Sequence, residues 1–367
     1  ARGVHWVRPV LVAEVAFGGM TGDGLLRHPT FLGLRDDKPA TEVRAEHAED
    51  SPGSDDSPED SAPETLPSRP HRAERSELAQ SHPFTHPEKV LYPEPGITKR
   101  ELGEYYELVA ERMLPHVRNR PLTLVRCPEG TKKPCFFQKH PGDGTPKEIR
   151  LVQVPEGDGT APYGVIDDVQ GLFALVQVGA LEIHTWGSHA DTAENPDLLV
   201  LDLDPDPSVP FARVADAAHE LRRVFEGAKL ESFVKTTGGK GLHVCVPIRP
   251  ELSWDEAKGF CRRIAEELVK SAPDRYVATA SKSKRRGKIF IDYLRNGRGA
   301  TFVAPFSTRA RSGAPIALPL EWDEVHGELD PSAFTLRAVR ERLSRGGADP
   351  FQRMPSLAPS LKRLVRA

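Results

Sequence analysis

The run Leu198–Asp206, LLVLDLDPD, constrains the fold more than any other stretch of the chain. Four consecutive aliphatic residues are apolar on both faces, which reads as a strand buried within a sheet. Side chains alternate along a strand, so Asp202 and Asp204 share one face while Leu201 and Leu203 share the other. Pro205 and Pro207 forbid continuation of a central strand, which puts both carboxylates at its exit. By the rise per residue they stand about 7 Å apart, a spacing at which hard carboxylates flank or share Mg²⁺ or Mn²⁺. Asp292 repeats the pattern after Ile289, Phe290 and Ile291. Three aspartates on neighbouring strand ends suit two ions about 4 Å apart, the clamp that holds the attacking and leaving oxygens in phosphoryl transfer. Taken alone, D-x-D also describes an ordinary strand end with solvated acids. Asp206, beyond a proline, reads as a turn residue.

A second motif changes that balance. Glu231–Thr236 and Leu242–Ile248 read as strands joined through Gly238, Gly239 and Gly241. Glycines tolerate positive φ and let backbone N–H groups approach an anion closely. Lys240 adds a point charge suited to phosphate, and His243 adds a donor. The spacing is neither that of a Walker A loop nor that of a dinucleotide fingerprint. Alone, this turn would pass for a plain hairpin and His243 for a core histidine. Carboxylates, a glycine turn and a lysine together describe a site for divalent ions and a triphosphate.

The rest of the chain is uneven. Residues 45–68 hold eight acidic side chains and no Lys or Arg, so the net charge of −3 leaves the remainder at +5. That basic balance suits a binder of phosphate backbones. A basic run, Lys282, Lys284, Arg285, Arg286 and Lys288, precedes the Asp292 strand and reads either as a solvated loop or as a nucleic-acid or triphosphate contact. Residues 44–81 form an acidic, Ser/Pro-rich linker expected to be disordered. An amphipathic helix is expected over Thr98–Val117, with Thr98 as cap and Leu102, Tyr105, Tyr106, Val109 and Met113 inward. Two more are expected over Phe211–Phe225 and Trp254–Lys270, the second capped by Ser253. Helices interleaved with strand pairs indicate an α+β core. Cys127, Cys135, Cys245 and Cys261 lack zinc-ligand spacing and read as ordinary buried thiols of a reducing compartment, with a zinc site at Cys127, Cys135 and His140 a remote alternative. No apolar run is long enough to span a membrane, and no signal peptide is visible.

These motifs, with HPEKVLYPEPGITKRELGEYY near Pro83 and APFSTRARSGAPIALPLEWDE, resemble the polymerase domain of bacterial ATP-dependent DNA ligase D. That domain belongs to the archaeo-eukaryotic primase superfamily, and the likeness runs from about Pro83 to Met354. It implies a primase-like core, an RRM-like sheet flanked by helices, over residues 82–354, with a basic tail over 355–367. It also implies metal ligation and catalysis by Asp202, Asp204 and Asp292. Nucleotide contacts are implied for His184, near the sugar, and for Thr237, Gly239, Lys240, His243, Arg295 and Arg309. Thr237 stands where the family has serine and keeps the hydroxyl. Lys89 and Lys99 correspond to lysines that grip a 5′-phosphate at a DNA end. Phe136 and Phe137 correspond to aromatics that stack on template bases, with Arg126 beside them. Residues 1–43, ending in RHPTFLGLRDDKPATEV, resemble the C-terminal end of a ligase OB-fold domain; without a K-x-D-G motif they read as a residual piece of a truncated parent.

The resemblance implies a nucleotidyltransferase: a template-directed polymerase that extends 3′ ends at 5′-phosphorylated gaps or double-strand breaks in non-homologous end joining. Two Mn²⁺ or Mg²⁺ ions and an NTP or dNTP substrate go with it, ribonucleotides preferred. The implied partners are double-stranded ends and gapped DNA, Ku, and the ligase domain of the same parent polypeptide, with no membrane; the implied location is cytoplasmic and nucleoid-associated. A metal-dependent nuclease and a non-catalytic end-binding module are the rival readings. Lengthening, shortening or mere binding of a labelled primer separates the three.

Overall fold

The computed structural model describes residues 12–16, 30–35, 84–157 and 159–366. The acidic linker read over 44–81 lies wholly outside them, and so does most of the ligase-like segment. Within the compact unit of residues 1–72, β1 (Val12–Ala16) pairs antiparallel with β2 (Thr30–Arg35).

The second unit, residues 73–367, carries the remaining elements. A hairpin of β3 (Val90–Tyr92) and β4 (Ile97–Thr98) leads into helix α1 (Lys99–Val117). Strand β5 (Leu122–Arg126) pairs with β6 (Phe136–Gln138), and β7 (Arg150–Glu156) with β8 (Gly159–Val165) forms a separate ribbon. Next come α2 (Val169–Gln177), β9 (Ala180–Thr185), β10 (Leu198–Pro205) and α3 (Phe211–Gly227). They are followed by β11 (Phe233–Thr236), β12 (Leu242–Pro247) and α4 (Trp254–Ser271). Short strands β13 (Tyr276–Val277), β14 (Ile289–Asp292), β15 (Phe302–Val303) and β16 (Pro319–Leu320) precede α5 (Leu336–Ser344) and α6 (Lys362–Arg366). A six-stranded sheet runs β13-β14-β10-β12-β11-β16, antiparallel except for β13/β14. A four-stranded antiparallel sheet runs β15-β9-β5-β6. This is the α+β primase-like core that the sequence implies.

The apolar run of β10 is buried on both sides. Leu199, Leu201 and Leu203 join Val214 and Leu221 of α3 and Ala257 and Ala265 of α4 in the main core. On the opposite face Leu198 and Val200 pack with Phe233, Cys245, Phe302 and Phe351. Each such leucine contributes about 1.5–3 kcal/mol by leaving water. Thr98 caps α1 by accepting the Glu101 N–H at 3.2 Å, and Leu102, Tyr105, Tyr106, Val109 and Met113 are buried as expected. Ser253 and Glu256 complete a capping box on α4. Helix α2 has no polar stripe in its sequence, VQGLFALVQ, so periodicity did not announce it. Tyr105 donates to the Phe306 carbonyl at 2.7 Å, and Tyr106 bonds Thr308 at 3.1 Å. These bonds anchor the segment leading to Arg309.

One expectation is corrected. Cys127 and Cys135 are joined in a disulfide rather than left as thiols. The β5–β6 register sets Arg126 opposite Phe136, and so brings the residues flanking them, 127 and 135, face to face, with Cα atoms 4.4 Å apart. Cys245 and Cys261 are free and buried. The segment after Met354, expected as a basic tail, packs against the domain: Leu361 is buried in the main core and the Arg249 N–H bonds the Pro359 carbonyl at 2.9 Å. Among the described residues no helix is long and apolar enough to cross a membrane.

The entry to β10 is fixed by a buried fork, in which Arg120 Nη1 and Nη2 donate to Asp197 at 2.6 and 2.7 Å. Burial alone would raise the Asp197 carboxyl, but the Arg120 charge and His189 hold it down to about 2. Asp197→Ala strands the guanidinium and is expected to lower stability by about 3–5 kcal/mol in equilibrium unfolding. Because the folded value is depressed, the contribution is present above the ordinary carboxylate range and is lost as pH falls from about 4 towards 2. A loss below about 1 kcal/mol near neutral pH would show the fork to be dispensable.

Candidate nucleotide and DNA-end site

Strand register builds one row of chemistry across four strands. Lys235 of β11 lies opposite His243 of β12, His243 opposite Asp202 of β10, and Asp202 opposite Asp292 of β14. All four therefore share the face that carries Val200 and Cys245 deeper in the sheet. Asp204 lies two residues further along the same face, half exposed. His243 Nε2 is 3.5 Å from Asp202 Oδ2, and burial pushes the imidazole down to about 4. Its buried Nδ1 has no partner.

Hard carboxylates on adjacent strands suit Mg²⁺ or Mn²⁺ in charge and ligand type. Their crowding shows electrostatically: burial, reinforced by the neighbouring Asp202, pushes Asp204 and Asp292 above the ordinary carboxylate range. Yet among the described residues no three His, Cys, Asp or Glu side chains converge as a closed ligand set. Arginines neutralise the acids instead. Arg295 Nε stands 3.0 Å from Asp292 and 3.5 Å from Asp202, while Arg285, from the basic run, donates to Asp204 at 2.9 Å. Arg295, expected at the triphosphate, thus contacts the carboxylates.

The β11–β12 turn faces this row. Gly238 takes φ +65°, and a Cβ there would meet the Arg309 side chain at 2.5 Å. At Gly241 a Cβ would stand 2.4 Å from the Leu203 carbonyl, so the turn seats directly on β10. Thr237 bonds the Gly241 carbonyl at 3.2 Å across the turn, and Arg309 donates to the Thr237 carbonyl. A cavity of about 360 Å³ opens here. It is lined by His184, Asp202, Asp204, Thr237, Gly239, Lys240, His243, Arg295, Arg309 and Arg311. Every nucleotide-contacting residue expected from the sequence reaches this cavity.

Three residues escaped the sequence reading. Arg311 lines the cavity beside Gly239. Glu182, two residues before His184 on the same face of β9, is buried between His184 and Arg309. Period-two spacing was the available signal. Burial alone would raise its carboxyl, but the His184 hydrogen bond and the Arg309 charge hold it at about 2. Lys235 is wholly buried and has one long bond, 3.5 Å to the Thr236 carbonyl. In the sequence it passes for one more strand lysine.

The DNA-end residues divide. Lys89 Nζ pairs with Glu129 at 2.7 Å beside a surface depression formed with His86, Pro87 and Glu88. Lys99 is buried, its Nζ donating to the Thr85 carbonyl at 2.9 Å and the Gln177 carbonyl at 3.4 Å. Burial and the Lys89 charge lower its pKa. Phe136 and Phe137 are 47% and 71% exposed, large apolar surfaces that one strand sends to opposite faces. Phe137 lies 6.3 Å from the His184 ring. Phe136 instead covers Arg126, whose guanidinium bonds the Val178 carbonyl and Gln138, each at 2.9 Å. Arg126 thus supports the aromatic from beneath.

Lys235 yields a test of whether this row is built for stability. Burial holds its ammonium down to about 8. A folded-state value below the ordinary lysine range means the charge destabilises the fold below about pH 8, and the burden is relieved as pH rises towards 10.5. Lys235→Met, unfolded in chelator at pH 7, is expected to be more stable than wild type by about 1–4 kcal/mol. The gain should shrink between pH 8 and 10.5; a variant less stable at pH 7 would show the ammonium to be a structural prop.

Comparison with known proteins agrees with this geometry. The family model of the LigD primase-polymerase domain matches residues 98–351, and that of the ATP dependent DNA ligase C terminal region matches residues 1–38. The multifunctional non-homologous end joining protein LigD of Pseudomonas aeruginosa is 36% identical over 349 residues, 95% of this chain and 40% of the relative. The bifunctional non-homologous end joining protein LigD of Bacillus subtilis is 31% identical over 269 residues, 73% of this chain and 43% of the relative. The chain therefore spans less than half the length of these relatives. The solved polymerase domain from Mycobacterium tuberculosis ligase D, in complex with DNA, matches with TM-score 0.69 at 33% identity, over 76% of this chain and 100% of that one. With the match running through most of its residues, the chain belongs to the LigD primase-polymerase domain family.

Proposed function

We propose that this chain is a template-directed nucleotidyltransferase that adds nucleotides, ribonucleotides by preference, to 3′ ends at 5′-phosphorylated gaps and breaks in non-homologous end joining. One observation carries the reading: Asp202 and Asp204 line the same 360 Å³ cavity as the Thr237–Gly241 turn, with Lys240, Arg309 and Arg311 around it and Asp292 paired beside Asp202. A nuclease needs the acids but has little use for a cationic cradle large enough for a triphosphate.

Asp202, Asp204 and Asp292 would hold Mn²⁺ or Mg²⁺ once Arg295 and Arg285 yield. Bound there, the ions supply Lewis acidity towards a 3′-hydroxyl and neutralise phosphate charge. Lys240 and Arg309 attract and orient the triphosphate, and the glycine turn lets backbone approach it. In-line attack of the 3′-oxygen on the α-phosphorus forms the new ester and expels pyrophosphate, so no protein nucleophile is required. Exposed Phe137 offers a stacking surface for a base, and Lys89 a charge for a 5′-phosphate. The DNA complex of the similar M. tuberculosis domain supports a DNA ligand. The ligase-like residues 1–38 support a ligase domain on the same polypeptide, and Ku is the end-binding partner we propose.

The test is extension of a labelled primer on gapped, 5′-phosphorylated duplex with Mn²⁺ and either NTPs or dNTPs. Extension is expected, stronger with NTPs. Asp202→Ala or Asp204→Ala should reduce it roughly a thousandfold or more, the several kcal/mol expected of metal-assisted charge stabilisation, while DNA binding persists. Substantial extension by either variant would sink the metal assignment, and a shortened primer would make the chain a nuclease. Lys89→Ala should erase the preference for a 5′-phosphate over a 5′-hydroxyl; Lys99→Ala should in addition lower the melting temperature, because its ammonium ties Thr85 to Gln177. An unchanged phosphate preference in Lys89→Ala would reject that pocket.

A further inference from the structure

Among the described residues Glu182 is the one buried carboxylate outside the acidic row, and it lies behind the cavity against His184 and Arg309, which line it. Its Oε2 takes His184 Nε2 at 2.8 Å and lies 2.9 Å from Arg309 Nε, while Oε1 accepts the Ala310 N–H at 2.9 Å. Two hydrogen-bond donors and one guanidinium charge, from two separate segments, thus converge on one side chain. An ionised carboxylate only accepts, so the proton on the shared edge belongs to His184 Nε2. In a neutral imidazole Nδ1 then carries the lone pair. The His184 ring makes no other hydrogen bond among the described residues, and it lines the nucleotide cavity. An acceptor here would repel a phosphate oxygen. It matches a hydroxyl, the donor that a nucleotide offers on its sugar.

We propose that Glu182 is a positioning residue that fixes His184 as an acceptor for a sugar hydroxyl of the incoming nucleotide and holds Arg309 towards its triphosphate. This rests on the polymerase reading above and adds to it the group that sets the sugar contact. Ribose presents two hydroxyls where deoxyribose presents one, so an acceptor held in place favours ribonucleotides. Burial lowers the His184 pKa despite its carboxylate partner, and the Arg309 and Lys235 charges lower it further, in keeping with a neutral ring. Arg309 is held at its other edge by the Thr237 carbonyl. The carboxylate therefore links the sugar contact to the phosphate contact through a single rigid group.

Two measurements on the full chain test this. Nitrogen-15 NMR of wild-type histidines, with His184 assigned from a His184→Gln spectrum, is expected to show the Nε2–H tautomer at pH 7.5. A ring protonated at Nδ1, alone or together with Nε2, would overturn the proposal without any variant of Glu182. The second compares binding of ATP and 2′-deoxy-ATP, without primer, to wild type and Glu182→Gln. A carboxamide can donate to Nε2 and release the tautomer, and it loses the charge that holds Arg309. ATP affinity is expected to fall about tenfold or more, as for one charge-assisted bond, with 2′-deoxy-ATP falling less, so that discrimination narrows. In extension assays KM for NTP should rise more than kcat falls, and Glu182→Asp should restore part of the discrimination. Equal losses for both nucleotides, with a rigid Nε2–H ring retained, would reduce Glu182 to a structural role and overturn the proposal. Failure of wild type to bind either nucleotide would instead remove the polymerase reading beneath it.

Discussion

Everything at this site depends on the pairing of β10 with β12 on one side and β14 on the other. A strand repeats every two residues, so slipping that register by one would turn Asp202 and Asp204 into the core and expose Leu201 and Leu203. Register is therefore held by burial: Leu199, Leu201 and Leu203 fill the side packed by α3 and α4. The other face changes character along the same strand, from Leu198 and Val200 in a small apolar cluster to the two aspartates. Apolar packing at one end sets where the acids emerge at the other. Gly241 adds a local lock, because its lack of a Cβ lets the turn rest against the Leu203 carbonyl.

The surroundings of that row break the rules that stabilise proteins. Lys235 is buried with a single long bond, His243 keeps an unpartnered nitrogen, and Asp204 and Asp292 are pressed towards protonation. Each would be a defect in a structural core. Collected in one cross-strand row beside the cavity, they have the character of a preorganised electrostatic site. Glu182 differs: its oxygens are matched by donors, and it is the ordered element between His184 and Arg309. Arg295 and Arg285 complete the balance by lying over the carboxylates.

The face proposed for DNA ends is assembled differently, from short pieces cross-tied at the surface. The Cys127–Cys135 disulfide joins the end of β5 to the start of β6, just ahead of the two exposed phenylalanines. The same loop carries Glu129, which occupies the Lys89 ammonium, and Thr131, whose N–H bonds the Leu91 carbonyl at 2.8 Å. Lys89 and the exposed phenylalanines, proposed for phosphate contact and base stacking, are thus parts of one small framework. Arg126, placed with the template contacts by its sequence neighbours, also bonds the Val178 carbonyl and Gln138 beneath Phe136.

By itself the sequence determined the period-two acids of β10, the glycine turn, and the capped amphipathic helices α1 and α4. These follow from local rules: alternation, φ freedom, capping and periodicity. It did not determine who stands beside whom. Glu182 looked like one more polar residue until β9 set it against Arg309, 127 residues away in sequence. Lys235 looked solvated until sheet pairing buried it, and Cys127 met Cys135 only because β5 and β6 are paired in the register that opposes Arg126 and Phe136. Phe136 and Phe137, adjacent in the chain, parted to opposite faces. Contacts between distant segments are fixed by sheet register and by burial, and neither is a property of any short stretch of chain.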